Sequence, residues 1–323
     1  MTRQGKKIFS YALKVIIVIL AFTYVYRQVS NNNNLKQFQL LLHRISSGQV
    51  TVVIAAVILL MLLNWLLESL KWKYLTRVIS PVSTWKAVEA VFCGLTWAIF
   101  TPNRVGEYGG RVMFLPPRRR IHGVFSMIVG SLGQLVITNV LGVTALLWFI
   151  YKFKHLDIWL FYGLLTIAYF CVLFMLVFYF NIRWIVTLAD SIGFLRKYHR
   201  FFDIMGRYHI KELISVMGFC SARFFVFSFQ YYLLLHMLIP DMPVFEMMMM
   251  VFIMFFIQSA LPTLDLFDVG VRSMTASAFF AYITSQKLAV IAVVSSIWFI
   301  NLIVPAILGS VFVFKLKFFD NAN

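Results

Sequence analysis

Of the 323 residues, 61% are hydrophobic and only 13% charged, and 34 are phenylalanine, whereas soluble domains are about half apolar and about a quarter charged. No soluble core buries that much apolar surface, which excludes a soluble enzyme, a nucleic-acid-binding domain and a disordered tail. The net charge of +17 sits in short segments between apolar runs, the pattern of loops lying against anionic headgroups.

Six apolar runs are long enough to cross a bilayer, which takes about 20 helical residues; they lie near 8–26, 50–68, 123–151, 156–180, 212–239 and 288–314. The first contains Lys14, whose ammonium snorkels to the near interface. No small-residue cleavage site follows it, so it reads as an anchor and not as a removed signal peptide. Two further apolar segments, 85–101 and 244–261, run into polar sequence at Pro102 and Pro262. A shorter helix-compatible stretch follows each, so the spacing predicts re-entrant hairpins over 85–122 and 244–286. Residues 181–211, aromatic and basic, read as a linker along the cytoplasmic interface.

Basic residues set the expected orientation. With the N-terminus inside, inner segments carry eighteen of them, Lys71 and Arg119 included, and outer segments carry six, among them Lys152 and Lys287. That asymmetry obeys the positive-inside rule only if neither hairpin crosses, and both termini are then cytoplasmic. The expected fold is an all-α integral membrane protein of about six transmembrane helices plus two re-entrant helical hairpins in an inverted repeat. It forms one transmembrane domain over 1–323. An anchor helix and external loop (1–49) precede a first repeat (50–180), and the linker leads to an inverted second repeat (212–314). Such repeats place a transporter site where broken helices meet.

Five basic residues fall outside these segments: Lys14, Arg104, Arg111, Arg223 and Arg272. An arginine at membrane depth costs from about 2.5 kcal/mol upward, so each needs a partner or a function. Glu107 and Arg111 are four residues apart, as are Asp268 and Arg272; an acid four residues before an arginine shares its helix face. Each pair follows a turn proline, Pro102 or Pro262, and holds a glycine, Gly106 or Gly270, beside or inside it. Proline frees backbone groups that only protein or ligand can satisfy, and glycine admits a close neighbour. The helix restarting after each proline presents N–H groups suited to phosphate. Arg104 stands there in the first hairpin, and its planar fork suits phosphate oxygens. Arg104 is expected to be free for ligand, because Arg111 competes for Glu107. Arg223 has no acid one turn away, and Asp265 is a candidate cross-span partner. The expected substrate-binding set is Arg104, Glu107, Arg111, Arg223, Asp265, Asp268 and Arg272, with Pro102, Gly106, Pro262 and Gly270 shaping the turns. The competing interpretation is that the acid–arginine pairs are structural staples.

The stretch from Pro102 through Asn103, Arg104, Val105, Gly106 and Glu107 to Arg111 resembles the first signature of the lysylphosphatidylglycerol synthase transmembrane region. This flippase-like domain family includes the flippase half of bacterial multiple-peptide-resistance proteins. Pro262 with Gly270, Val271 and Arg272 is similar to its second signature, and size, hydropathy and motif position agree over nearly the whole chain. Family members usually show a glycine-rich turn after the second proline and a glutamate after the arginine; here Asp265, Leu266 and Phe267 occupy the turn and Ser273 follows Arg272. That departure bears on which substrate is taken. The resemblance implies a bacterial cytoplasmic (inner) membrane and movement of an anionic or aminoacylated phospholipid, or a polyprenyl-linked lipid, between leaflets. The aminoacyl-transferase domain of two-part members has no counterpart in these residues, so lipid aminoacylation is not expected.

Other chemistries lack their residues. The six histidines show no metal-binding spacing, and no phosphate loop exists. Cys93, Cys171 and Cys220 lie inside apolar runs and form no disulfide framework. Residues 27–49 contain no acid, against a polyprenyl-dependent glycosyltransferase. His199 and Asp203 read as a solvated face, and Met247–Met250 as packing. Three functions stay open: a lipid flippase or transporter, a membrane enzyme of lipid or polyprenyl-phosphate metabolism using Glu107 or Asp268 as base, and a non-catalytic scaffold of envelope synthesis. The neutralised pairs and the inverted repeat favour the first, which is no enzyme. No cofactor or metal is expected. Partners are membrane phospholipids and, as a further candidate, a lipid-synthesising enzyme. Nucleic acid is not expected, and an oligomer is left open.

Overall fold

The computed structural model describes residues 36, 39–40, 43, 45–99, 101, 104–154, 156–196, 199–261 and 268–313. No strand occurs among them. In chain order the helices are α1 (Ser47–Thr76), α2 (Thr84–Ile99), α3 (Val105–Val112), α4 (Arg120–Phe153, entered through a 3-10 turn at Pro117–Arg119), α5 (Ile158–Phe180), α6 (Arg183–Ser191), α7 (Gly193–Arg196) and α8 (His199–Gly206). They continue with α9 (Ile210–Leu238), α10 (Val244–Ala260), α11 (Asp268–Phe280), α12 (Lys287–Trp298) and α13 (Val304–Val313, joined to α12 by a π-helical turn at Phe299–Ile303).

Among the described residues five stretches are long and apolar enough to cross a membrane: Ser47–Thr76, Pro117–Phe153, Ile158–Phe180, Ile210–Leu238 and Lys287–Val313. They fit an integral membrane protein and match five of the six expected spans. The sixth, 8–26, lies outside the described residues, as do Pro102, Pro262 and Asp265. The largest shift in boundary is at α1, which runs on to Thr76 and not to 68. Hydropathy falls there because Glu68 and Lys71 enter, yet both are buried and ion-paired, so the helix continues through them. Around α5 the apolar surface faces outward all round, and only Tyr179 is buried.

The chain forms two compact units that alternate along the sequence. One comprises Leu62–Val140, Asp157–Val226 and Leu302–Asn323; the other comprises Met1–Met61, Leu141–Leu156 and Phe227–Asn301.

In the first of these, Leu75, Val129, Tyr179, Ile182, Met205 and Cys220 belong to one buried core. Tyr208 ties the 199–209 region to it: its hydroxyl donates to the Leu75 carbonyl at 2.8 Å and lies 2.8 Å from Ser126 Oγ. Burial pushes this phenol above its usual range. Helices α2 and α3 touch backbone to backbone, since a Cβ on Gly110 would come within 2.7 Å of Gly94 Cα. Thr96 Oγ1 donates to the Ala306 carbonyl of α13 at 2.8 Å. Lys73 Nζ donates to Thr84 Oγ1 at 2.8 Å, joining the end of α1 to the start of α2. The end of α3 lies near that same end of α1: Gly123 packs against Leu115, Val112 and Trp72.

In the other unit, α10 packs on α11 and α11 on α12. Lys152 pairs with Glu246 and Lys154 Nζ donates to Tyr282 Oη at 2.7 Å. The last turn of α4 therefore contacts both the start of α10 and the segment just after α11, where the rings of Phe149 and Tyr282 are 4.9 Å apart.

Candidate functional site

Helix α1 sets the floor of a buried charge cluster. Asn64, Glu68 and Lys71 follow one another by four and three residues and so share a face, and all three are buried. Glu68 Oε1 accepts from Arg111 Nη1 at 2.6 Å, while Oε2 meets Lys71 Nζ at 2.7 Å and Arg223 Nη1. Arg223, on α9, also donates from Nε to Asn64 Oδ1 at 3.0 Å, and its guanidinium stands 5.4 Å from the Trp65 ring centroid.

Helix α3 closes the cluster. Arg111 Nη2 pairs with Glu107 Oε1, so this one guanidinium bridges the carboxylates of α1 and α3. Its Nε is buried without a hydrogen-bond partner among the described residues. Arg104 caps α3 with φ 56° and ψ 27°, the left-handed region, where no other non-glycine described residue sits. That conformation costs of order 1 kcal/mol for a residue with a Cβ. It turns Arg104 back to Glu107, with Nε 3.0 Å from Oε2, an ion pair rather than an aligned hydrogen bond. Gly106 fulfils its expected role: its N–H donates to Thr101 Oγ1 at 2.7 Å, and a Cβ there would run into the Trp97 carbonyl.

Among the described residues six charges meet here, and they do not cancel. Leaving Arg104 aside, three cations (Lys71, Arg111, Arg223) face two carboxylates (Glu68, Glu107), an excess of one positive charge on side chains at most 16% exposed. Burying an unbalanced charge is costly unless an anion completes it. Arg104, 38% exposed, is the most open member.

The structure corrects two expectations. Lys71 is not a loop residue; it is buried on α1, where it pairs with Glu68. Arg223 pairs with Glu68, 155 residues away in sequence, while its candidate partner Asp265 lies outside the described residues. Arg104 is not unpaired, because the left-handed cap brings it onto Glu107. The second expected pair forms in the other unit: Arg272 Nε binds Asp268 Oδ2, with Asp268 buried and Gly270 buried between them. Sequence reasoning missed Asn64 and Glu68. The one trace in the sequence is the spacing of 64, 68 and 71 on one face of α1, which hydropathy alone does not mark.

Among the described residues no group of three His, Cys, Asp or Glu is placed to hold a metal ion. Compared with known proteins, the chain matches no family model, no curated protein and no solved structure.

Proposed function

We propose that this chain is a flippase-type membrane protein that moves an anionic or aminoacylated phospholipid, or a polyprenyl-linked lipid, between leaflets, with the charge cluster receiving the headgroup phosphate. The observation that carries the proposal is the excess cation of the Glu68 cluster inside an apolar helical protein. Three planar arginine forks at one place suit a phosphate, whose oxygens accept paired N–H bonds. Arg104, at the exposed rim, receives the headgroup first; Arg111 and Arg223 hold it deeper.

In this scheme α2–α3 and α10–α11 are re-entrant hairpins of opposite polarity, and the described spans form an inverted repeat. The ties of α2 and α3 to one end of α1, and of α10 and α11 to the last turn of α4, support hairpins that return to the side they enter from. The resemblance of residues 102–111 to the flippase-like family supports the same scheme, which puts the chain in a bacterial inner membrane with both termini cytoplasmic. A general-base enzyme is less well supported, since Glu68 and Glu107 are each held by at least two cations.

The test is translocation of a fluorescent anionic lipid in proteoliposomes at equal protein density. Arg104→Ala and Arg104→Lys should both fold, and both should slow translocation by about tenfold, lysine because it loses the bidentate geometry. Unchanged translocation in Arg104→Ala overturns the proposal.

A further inference from the structure

An open polar cavity of about 530 Å³ lies in the 183–209 region, away from the charge cluster, and its lining includes Arg183, Thr187, Asp203, Gly206, Arg207 and His209. Helix α6 supplies Arg183 and, one turn on, Thr187; α8 and the residues after it supply the rest.

The two arginines are held in place but not used up. Arg183 Nε donates to the Gly206 carbonyl at 3.0 Å, which fixes the plane of its guanidinium and ties α6 to the end of α8. Its two terminal nitrogens make no hydrogen bond to the described residues. Arg207 spends Nε and Nη2 on a single oxygen, Asp203 Oδ2, at 3.1 and 2.8 Å, which leaves Nη1. Two arginines face one carboxylate, so the cavity keeps a net positive charge. The neighbouring acid Glu212 is engaged elsewhere, by Arg77 at 3.2 Å and by the His209 backbone N–H at 2.9 Å.

The cavity stands on a rigid base. Tyr208, between two of its lining residues, is buried and bonded to the Leu75 carbonyl, and Ile182, Ile204 and Met205 are buried beside it. On α6, Trp184 and Leu188 are 51% and 59% exposed. An exposed indole on an amphipathic helix suits headgroup level at a membrane surface.

We infer that this cavity binds a phosphate group, with Arg183 Nη1 and Nη2 and Arg207 Nη1 donating to its oxygens. Two sources share that chemistry, an anionic phospholipid headgroup and a soluble phosphate ester. The site is separate from the Glu68 cluster and does not depend on lipid transport through it.

The experiment uses the purified full chain in detergent. Dioctanoyl phosphatidylglycerol, glycerol 3-phosphate and inorganic phosphate are titrated separately by calorimetry, with dioctanoyl phosphatidylcholine as the zwitterionic comparison. Because the charge cluster offers these probes a site of its own, wild type is compared with Arg207→Gln and Arg183→Gln. Arg207→Gln spares the Gly206 tie and so stays informative if Arg183→Gln unfolds. One binding step should weaken about tenfold in Arg207→Gln. Loss of the phosphatidylglycerol step alone supports the lipid source, and loss of the soluble-phosphate step alone supports the soluble source. Loss of both supports phosphate as the recognised group. Unaltered affinity for every probe in folded Arg207→Gln overturns the inference.

Discussion

Glu68→Gln is the change with the largest expected effect. Glu68 is 6% exposed and holds Arg111 at 2.6 Å, Lys71 at 2.7 Å and Arg223. Glutamine keeps the shape but loses the charge. Whichever way its amide turns, its NH₂ faces a cationic donor, Arg111 on one side or Lys71 and Arg223 on the other. Three cations then face Glu107 alone, and the excess rises from one to two. Breaking one buried pair costs about 3–5 kcal/mol, which at about 2 °C per kcal/mol lowers Tm by roughly 6–10 °C. Adding Lys71→Met restores an excess of one and should recover about half of that loss, since the two residues are in direct contact. Thermal unfolding in detergent reads both. A Glu68→Gln protein that melts like wild type, or a Lys71→Met addition that deepens the loss, would refute the argument.

Further outcomes test the packing and the topology. Gly110→Ala brings a Cβ within 2.7 Å of Gly94 Cα and should cost about 1–3 kcal/mol, whereas Gly109→Ala meets only the Trp97 ring at 3.8 Å and should be tolerated; paired melting curves distinguish them. Tyr208→Phe removes the bonds to the Leu75 carbonyl and Ser126 and should cost about 1–2 kcal/mol, read as a lower Tm and faster hydrogen exchange in α8. In a background lacking the exposed Cys171, cysteines replacing Arg119 and Ser285 should react with impermeant reagent from opposite sides of the membrane, and reaction from one side would contradict the inverted repeat.

The spans were legible because apolar composition over about 20 residues leaves few alternatives to a crossing helix. The Glu107–Arg111 and Asp268–Arg272 pairs were legible for a local reason: a four-residue interval fixes neighbours on a helix whatever surrounds it. Glu68 was not, because hydropathy marks a charged residue as the end of a span, and only tertiary pairing shows that α1 continues through it. Its link to Arg223 spans 155 residues and leaves no periodic trace. The backbone at Arg104 was equally hidden, since a left-handed arginine has no sequence signature, and it converts a residue expected to be free into one held by Glu107.

The central claim is that the excess cation of the Glu68 cluster is completed by a lipid phosphate. The most direct test is a lipid-resolved cryo-EM map of the protein in nanodiscs containing phosphatidylglycerol. The account predicts phosphate density in contact with the guanidinium groups of Arg104 and Arg223, lost in Arg104→Ala. Ordered lipid elsewhere on the protein, with no density at these arginines, would contradict it.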